Sequence, residues 1–405
     1  MATIGGMMLV IVIGWQVYDI ARQTMSPRDA AFLLGMVGLV QFLPLFGLTL
    51  IVGVVADRVD RRYIARAALA LELVCAAVLG WLALHDEVTI TALFIIAALL
   101  GVGRAFAGPS LSALAPNLVP RDMLPSAIAL NSISWQSGAV IGPPLGAYLY
   151  AAAPAAPYLT AAVLFGGALL ALLLIGPVPR PQPSKQSPWR SLVEGLGYVR
   201  HNRIVLGAIS LDLFAVLLGG ATAMLPVYAR DILHVGVEGL GPLRAAPAFG
   251  AAATALILAI RPLSRRVGPV MFLCVGMFGV ATIVFGLSTN LALSLGALTV
   301  LGAADMISVF VRSSLIQLHT PDAMRGRVSA VSGLFVSASN ELGEFESGLT
   351  AAWLGPVEAV VAGGVGAVLV TGLWAWGFPE LRRADRFIEP KSFDITGDAS
   401  AGPAV

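Results

Sequence analysis

Charged residues are scarce in this 405-residue chain: Asp, Glu, Lys and Arg make up 12%, against roughly 25% in an ordinary soluble domain. Apolar residues reach 58% and mean hydropathy is +0.86, which excludes a soluble globular protein. Cysteine is nearly absent. Cys75 and Cys274 fall in apolar runs, where a thiol behaves as a small hydrophobe, and neither belongs to a metal-ligand spacing, so no metal, redox centre or cofactor is expected. With 25 Lys and Arg against 23 Asp and Glu, no sign of charge dominates, and a nucleic-acid partner is not expected. His85, His201, His234 and His319 all lie in or beside loops, which supplies no histidine relay inside an apolar layer. A G-x-x-x-x-G-K-[ST] phosphate loop is missing, so ATP hydrolysis by this chain is not expected. The N-terminal run lacks the basic n-region and cleavage site of a signal peptide and reads as a retained first helix. Its missing cationic flank leaves room for an upstream start codon.

Apolar runs of spanning length are what the chain has in abundance. They fall at about 3–20, 30–55, 63–84, 89–117, 124–152, 158–176, 203–227, 237–260, 269–287, 291–318, 328–354 and 357–378; a crossing needs about 20 such residues. The expected fold is an all-α membrane protein with twelve transmembrane helices in two six-helix bundles. Cations near helix ends are retained on the cytoplasmic side. With both termini inside, nineteen Lys and Arg border cytoplasmic loops or the tail, and only Arg22, Arg28 and Arg230 border outer ones. The expected divisions are a bundle over 1–177, a linker over 178–202 with a short amphipathic helix, a bundle over 203–380 and a partly disordered cytoplasmic tail over 381–405.

An internal repeat supports two parallel halves. An offset of 204 places Arg61 and Arg62 on Arg265 and Arg266, and Ser110, Leu111 and Leu114 on Ser314, Leu315 and Leu318. After a three-residue gap, Pro120 and Met123 fall on Pro321 and Met324. Repeats of this kind place a transport site at the pseudo-symmetry axis.

Three motifs stand on this frame. The hairpin after the second span reads Gly53-Val-Val-Ala-Asp57-Arg58-Val-Asp60-Arg61-Arg62. The fifth span contains Gly138-Ala-Val-Ile-Gly142-Pro143-Pro144-Leu145-Gly146, a stripe of small residues suited to close helix contact, with prolines that remove backbone donors. The fourth carries Arg104 followed by Gly108. Taken together these resemble the major facilitator superfamily, with its G-x-x-x-D-R-x-G-R-R/K hairpin, its G-x-x-x-G-P-x-x-G exporter pattern and its R-x-x-x-G helix. Asp60 stands where that hairpin has its second glycine, and Arg261 stands where Asp57 would repeat in the second half. Within the superfamily, Gly14-Trp15-Gln16-Val17-Tyr18-Asp19 and Ser339-Asn340-Glu341-Leu342-Gly343-Glu344-Phe345-Glu346 resemble the enterobactin-exporter-like branch. The resemblance implies the major facilitator fold, a cytoplasmic latch at Asp57 and Arg58, and export more than uptake.

Acidic residues inside the spans are Asp19, Glu72, Asp212, Asp305, Glu341, Glu344 and Glu346. Desolvation helps a carboxylate hold a proton near neutrality unless a cation opposes it. The charges sit on spans that line the central cavity in the superfamily, except Glu72 on the third, for which the sequence offers no role. Asp305, Glu341 and Glu344 are the expected coupling acids, with Arg104, Arg244 or Arg312 as counter-charges and Asp212 and Asp19 as further candidates; a static ion-pair network is the alternative. Trp15, Gln16, Tyr18, Gln41, Asn131, Trp135, Gln136 and Asn340 are candidate substrate contacts. Trp189 is expected to anchor the linker helix to the membrane surface. The expectation is a monomeric, multi-pass, proton-coupled exporter of a small organic molecule in a bacterial inner membrane, with protons and lipid as its other partners. Uptake, proton-independent facilitation, a membrane sensor and a polytopic membrane enzyme are the alternatives.

Overall fold

The computed structural model describes residues 1–114, 118, 120, 123–176 and 188–387. The expected tail beyond 387, the first part of the linker, 178–187, and residue 177 before it lie outside them.

Long apolar runs become helices because backbone N–H and C=O groups in a lipid layer must be satisfied within the segment. The first six are α1 (Ala2–Ala21), α2 (Pro27–Arg58), α3 (Arg61–Leu84), α4 (Ile90–Leu114), α5 (Leu124–Ala152) and α6 (Ala156–Leu173). The linker helix α7 (Pro188–His201) precedes α8 (Arg203–Leu218), which continues through a 3-10 turn at Ala221–Met224, the short α9 (Leu225–Val227) and a π turn at Tyr228–Ile232. Then come α10 (Gly236–Ile260), α11 (Val267–Leu287), α12 (Leu291–Leu318), α13 (Asp322–Leu354), α14 (Pro356–Gly377) and the short α15 (Pro379–Arg383). Among the described residues, ten helices are long and apolar enough to cross a bilayer, the run Arg203–Ile232 taken as one. The more polar α5 and α13, of 29 and 33 residues, complete twelve crossings.

Polar caps fix where several crossings begin. Ser26 accepts the Asp29 N–H at 3.3 Å ahead of Pro27. Asn202 accepts from Val205 N at 3.1 Å to open α8, and Asn290 accepts from Ala292 N at 2.9 Å and Leu293 N at 3.2 Å to open α12; each fills an orphan donor of a first turn. Gly355, with φ of 115°, alone separates α13 from α14, a backbone conformation that only glycine adopts cheaply. The expected boundaries hold to within a few residues, apart from the eleventh span, whose helix starts at Asp322 and not at 328, and the seventh. The seventh was expected to end at 227, yet helical turns continue to Ile232 after a break at Gly219 and Gly220.

Within the first half α1 packs on α5 and α6, α3 on α4 and α6, and α2 on α4. Counting spans, each of these five pairs recurs six spans later: α8 with α13 and with α14, α11 with α12 and with α14, α10 with α12. Between halves, α2 packs on α13 and α5 on α10, and these two junctions exchange under the same shift. The repeat read from the sequence is therefore a repeat of packing. Below, the far end means the end where α1 finishes at Ala21; the near end carries its first residue.

Candidate functional site

Small residues let α2 and α13 meet closely. A Cβ at Gly35 would stand 2.7 Å from Gly348 Cα, and one at Gly38 would stand 2.7 Å from Glu344 Cβ and 2.9 Å from the Glu341 carbonyl. On the other flank of α2, a Cβ at Gly101 of α4 would stand 2.7 Å from the Gln41 carbonyl. Three helices thus converge, and their polar side chains meet. Arg104 donates through Nη1 to Gln41 Oε1 at 2.8 Å, and its Nη2 lies 3.3 Å from Glu341 Oε1. Glu341 is 13 residues from the far end of α13, about 20 Å at 1.5 Å per residue, which is deep in a layer about 30 Å thick.

Other charges surround this pair. Glu344 and Arg244 act electrostatically on Glu341, and Arg244 donates at 3.3 Å to the Thr222 carbonyl, which also accepts the Leu225 N–H of the turn after α8. Glu72 gains an account here. It is buried against α4, where a Cβ at Gly103 would touch its Cγ at 3.1 Å, and the Arg104 charge reaches it. Arg104 therefore pairs with a carboxylate of the other half and lies near a second carboxyl group in its own. Its side chain is nevertheless 44% exposed, while that of Glu341 is 11% exposed. A guanidinium this deep survives only beside partners or a wet space.

Asp305 does not join that group. It lines a small cavity inside the second half with Asp212, Ala215, Val216, Val275, Phe278 and Ser308. Asp212 of α8 and Arg312 of α12 form a buried ion pair beside it. The three acids grouped in the sequence are thus two sites, one at the junction of the halves and one within α8, α11 and α12.

The far end is tied across the halves. Arg230 holds the Asp19 carboxylate and donates to the Asp19 carbonyl at 2.9 Å. Tyr18 donates to Asp231, and Arg22 Nε donates to the same carboxylate at 2.9 Å. Arg28 reaches the Leu354 carbonyl at 3.3 Å. A Cβ at Gly241 of α10 would stand 2.8 Å from Pro144 Cα of α5, so that junction is also tight towards the far end.

The remaining candidates scatter. Trp15, Gln16 and Tyr18 are buried, Gln16 accepting from Tyr158 inside the first half and Tyr18 donating to Asp231 of the second half in the far-end tie. Asp19 belongs to the far-end tie. Gln41 is the cavity candidate that reaches the charged pair. Trp135 and Asn131 are exposed on the near end of α5, Gln136 is half-buried, and Asn340 bonds its own helix at Val336 O, 2.9 Å. Gly138, Gly142 and Gly146 form the seam for α1, where added Cβ atoms would meet Thr3 at 2.7 Å, Met7 at 2.7 Å and Met8 at 3.2 Å. The surroundings of Gly53 and the side chains of Asp57 and Arg58 lie outside what is described. Asp60 caps α3 through Arg62 N at 3.0 Å and pairs with the Arg62 guanidinium at 2.7 Å. Arg66 donates to the Leu172 carbonyl at 3.1 Å, so Arg62 and Arg66 tie α3 to the end of α6 within one half. Asp231, Gly38 and Thr222 were not singled out from the sequence. The adjacent Arg230-Asp231 at a span end was the available signal, and only pairing across the halves gives it meaning.

A family model described as Major Facilitator Superfamily matches residues 1–343. The chain belongs to the major facilitator superfamily. It is a multi-pass membrane transporter of the secondary type and not an enzyme. Among its curated relatives, the enterobactin exporter EntS of Citrobacter koseri is 29% identical over 338 residues, 82% of this chain and 80% of the relative. That of Shigella boydii is 28% identical over the same shares. Among solved structures, a bacterial homolog to the human lysosomal transporter Spinster, inward-facing and occupied, superposes with a TM-score of 0.72 at 15% identity, covering 94% of this chain and 96% of the other. A D-xylose-proton symporter superposes at 0.68 and 15% identity, over 93% and 96%. These superfamily structures share the fold with this chain.

Proposed function

We propose that this superfamily member is a proton-driven exporter of a small organic molecule, siderophore-like or drug-like, working by alternating access. The observation that carries the reading is the contact of Arg104 with Glu341. One residue moves with each half, so the pair must break whenever the halves rock apart at that depth. A proton on Glu341 removes one of the two charges and lowers the cost of that break. Glu344 and Arg244 tune the same group, and Asp305, in its separate cavity, is the second proton-binding candidate. Gln41, Trp135, Asn131 and Gln136 are the contacts offered to substrate.

Export rests on the Gly138, Gly142, Pro143, Gly146 pattern and on the likeness to enterobactin exporters. The excess of Lys and Arg on one side supports cytoplasmic termini in a bacterial inner membrane, which makes the sealed far end the outer one and the state inward-open. Asp57 and Arg58 are the inner latch that the hairpin motif offers. The first bundle ends at 177, and the second runs over 203–380.

The test is accumulation of candidate compounds in cells lacking their own pumps, with and without a protonophore. Lower accumulation on expression, reversed by the protonophore, is the expected result. Raised accumulation would make the protein an importer, and indifference to the protonophore would remove proton coupling.

A further inference from the structure

The linker helix α7 has two unlike faces. One is bonded to the second half. Arg327 Nη1 of α13 lies 2.6 Å from Glu194 Oε2, Tyr198 donates to the His319 carbonyl, Val199 is buried, and a Cβ at Gly195 would stand 2.8 Å from the Arg327 carbonyl. The other face is an uncovered apolar stripe. Trp189, Val193 and Leu196 are 60%, 49% and 47% exposed, and their spacing of four and three residues puts them on one side of the helix. Arg200, also exposed, continues the same line four residues on.

We propose that this stripe is a docking surface for the bilayer itself, seated at the boundary of acyl chains and anionic headgroups. Position, charge and composition all favour a lipid occupant. Asn202 alone separates α7 from the crossing α8, so the helix cannot stray from the edge of the apolar layer. Trp376, the exposed tryptophan near the end of α14, marks the same near-end level, and indole rings concentrate at that depth. A helix with one apolar face and basic residues beside it lies in the interface plane; Arg190 is paired with Glu194 at 3.0 Å, so Arg200 is the cation of α7 offered to an anionic surface. Because α7 is bonded to α13, the span that bears Glu341, the membrane surface has a mechanical hold on the second half. A lipid-seated α7 is compatible with either direction of transport.

Cys75 and Cys274 are buried, so an added thiol on α7 is the accessible one to label. The full chain with Val193→Cys carrying an environment-sensitive fluorophore is placed in phosphatidylethanolamine vesicles with or without phosphatidylglycerol. Lipid-borne nitroxide should quench it strongly and aqueous iodide weakly, and more so with phosphatidylglycerol. Leu196→Cys should follow, while His201→Cys, off the stripe, should be quenched by iodide. In Arg200→Gln the difference between the two vesicle types should shrink about fivefold, the equivalent of ~1 kcal/mol. Iodide quenching at all three positions, or protection of Val193→Cys from both quenchers by a protein partner or second copy, would overturn the proposal. Equal lipid quenching in both vesicle types would overturn its anionic part.

Discussion

Arg104 and Glu341 stand 3.3 Å apart across the junction of the two bundles, each on a different half. Glu341→Gln is expected to abolish gradient-driven efflux while the protein still inserts, read as accumulation with and without a protonophore beside the amount in the membrane fraction. Arg104→Gln leaves two carboxylates, Glu341 and Glu72, without that cation. It should lose more thermal stability in detergent than Glu341→Gln, though less than the roughly 3–5 kcal/mol for breaking a fully buried pair, because the guanidinium is partly exposed.

Asp212 and Arg312 are both buried, and neither touches the junction. Asp212→Asn should destabilise by about 3–5 kcal/mol, whereas Asp212→Leu combined with Arg312→Met should recover most of the loss, since a well-packed apolar pair often replaces a buried ion pair without cost. Thermal unfolding of the purified variants separates the two outcomes. No recovery in the double variant would show that the pair does more than neutralise itself.

Asp231 receives both Tyr18 and Arg22 at the far end. Removing it in Asp231→Ala frees both at once, so the sealed end should open part of the time. Spin labels at Gln23→Cys and Leu233→Cys should then show a longer distance component, absent from the otherwise unchanged chain. An unaltered distribution would assign the seal to the Arg230–Asp19 and Arg28–Leu354 ties together with the α2–α13 and α5–α10 junctions.

Gly302 and Gly296 lie on the same helix in opposite circumstances. A Cβ at Gly302 would stand 1.9 Å from the Pro247 carbonyl, while one at Gly296 meets nothing within 4 Å. Gly302→Ala should cost about 1–3 kcal/mol through forced separation of α10 from α12. Gly296→Ala should be neutral or raise stability by up to about 1 kcal/mol, the helix propensity difference between glycine and alanine. Thermal denaturation checks the pair.

Hydropathy made the crossings legible because lipid imposes one solution on the backbone, and the offset of Arg61 and Arg62 on Arg265 and Arg266 carried the duplicated packing. Arg104 and Glu341 were legible as expensive charges at equal depth. Their separation from Asp305 was not, because residues on neighbouring spans at similar depth look alike until helix rotation is known. Trp15, Gln16 and Tyr18, offered as aromatic and amide groups on a cavity-lining span, are buried here, Tyr18 in the far-end tie, and the sequence shows neither the packing nor the tie. The π turn at Tyr228–Ile232 extended the seventh crossing past the polar Arg230-Asp231, where composition announces an end.

Glu72 packs beside Gly103 on the same half as Arg104. When the opposite half withdraws Glu341, Glu72 is the carboxyl group that stays on the guanidinium's side of the junction. The protonation state of that one buried group then sets how the rocking step responds to the membrane potential: an uncompensated charge moved through the whole field couples to roughly 2.3 kcal/mol per 100 mV, a neutralised one to little of it.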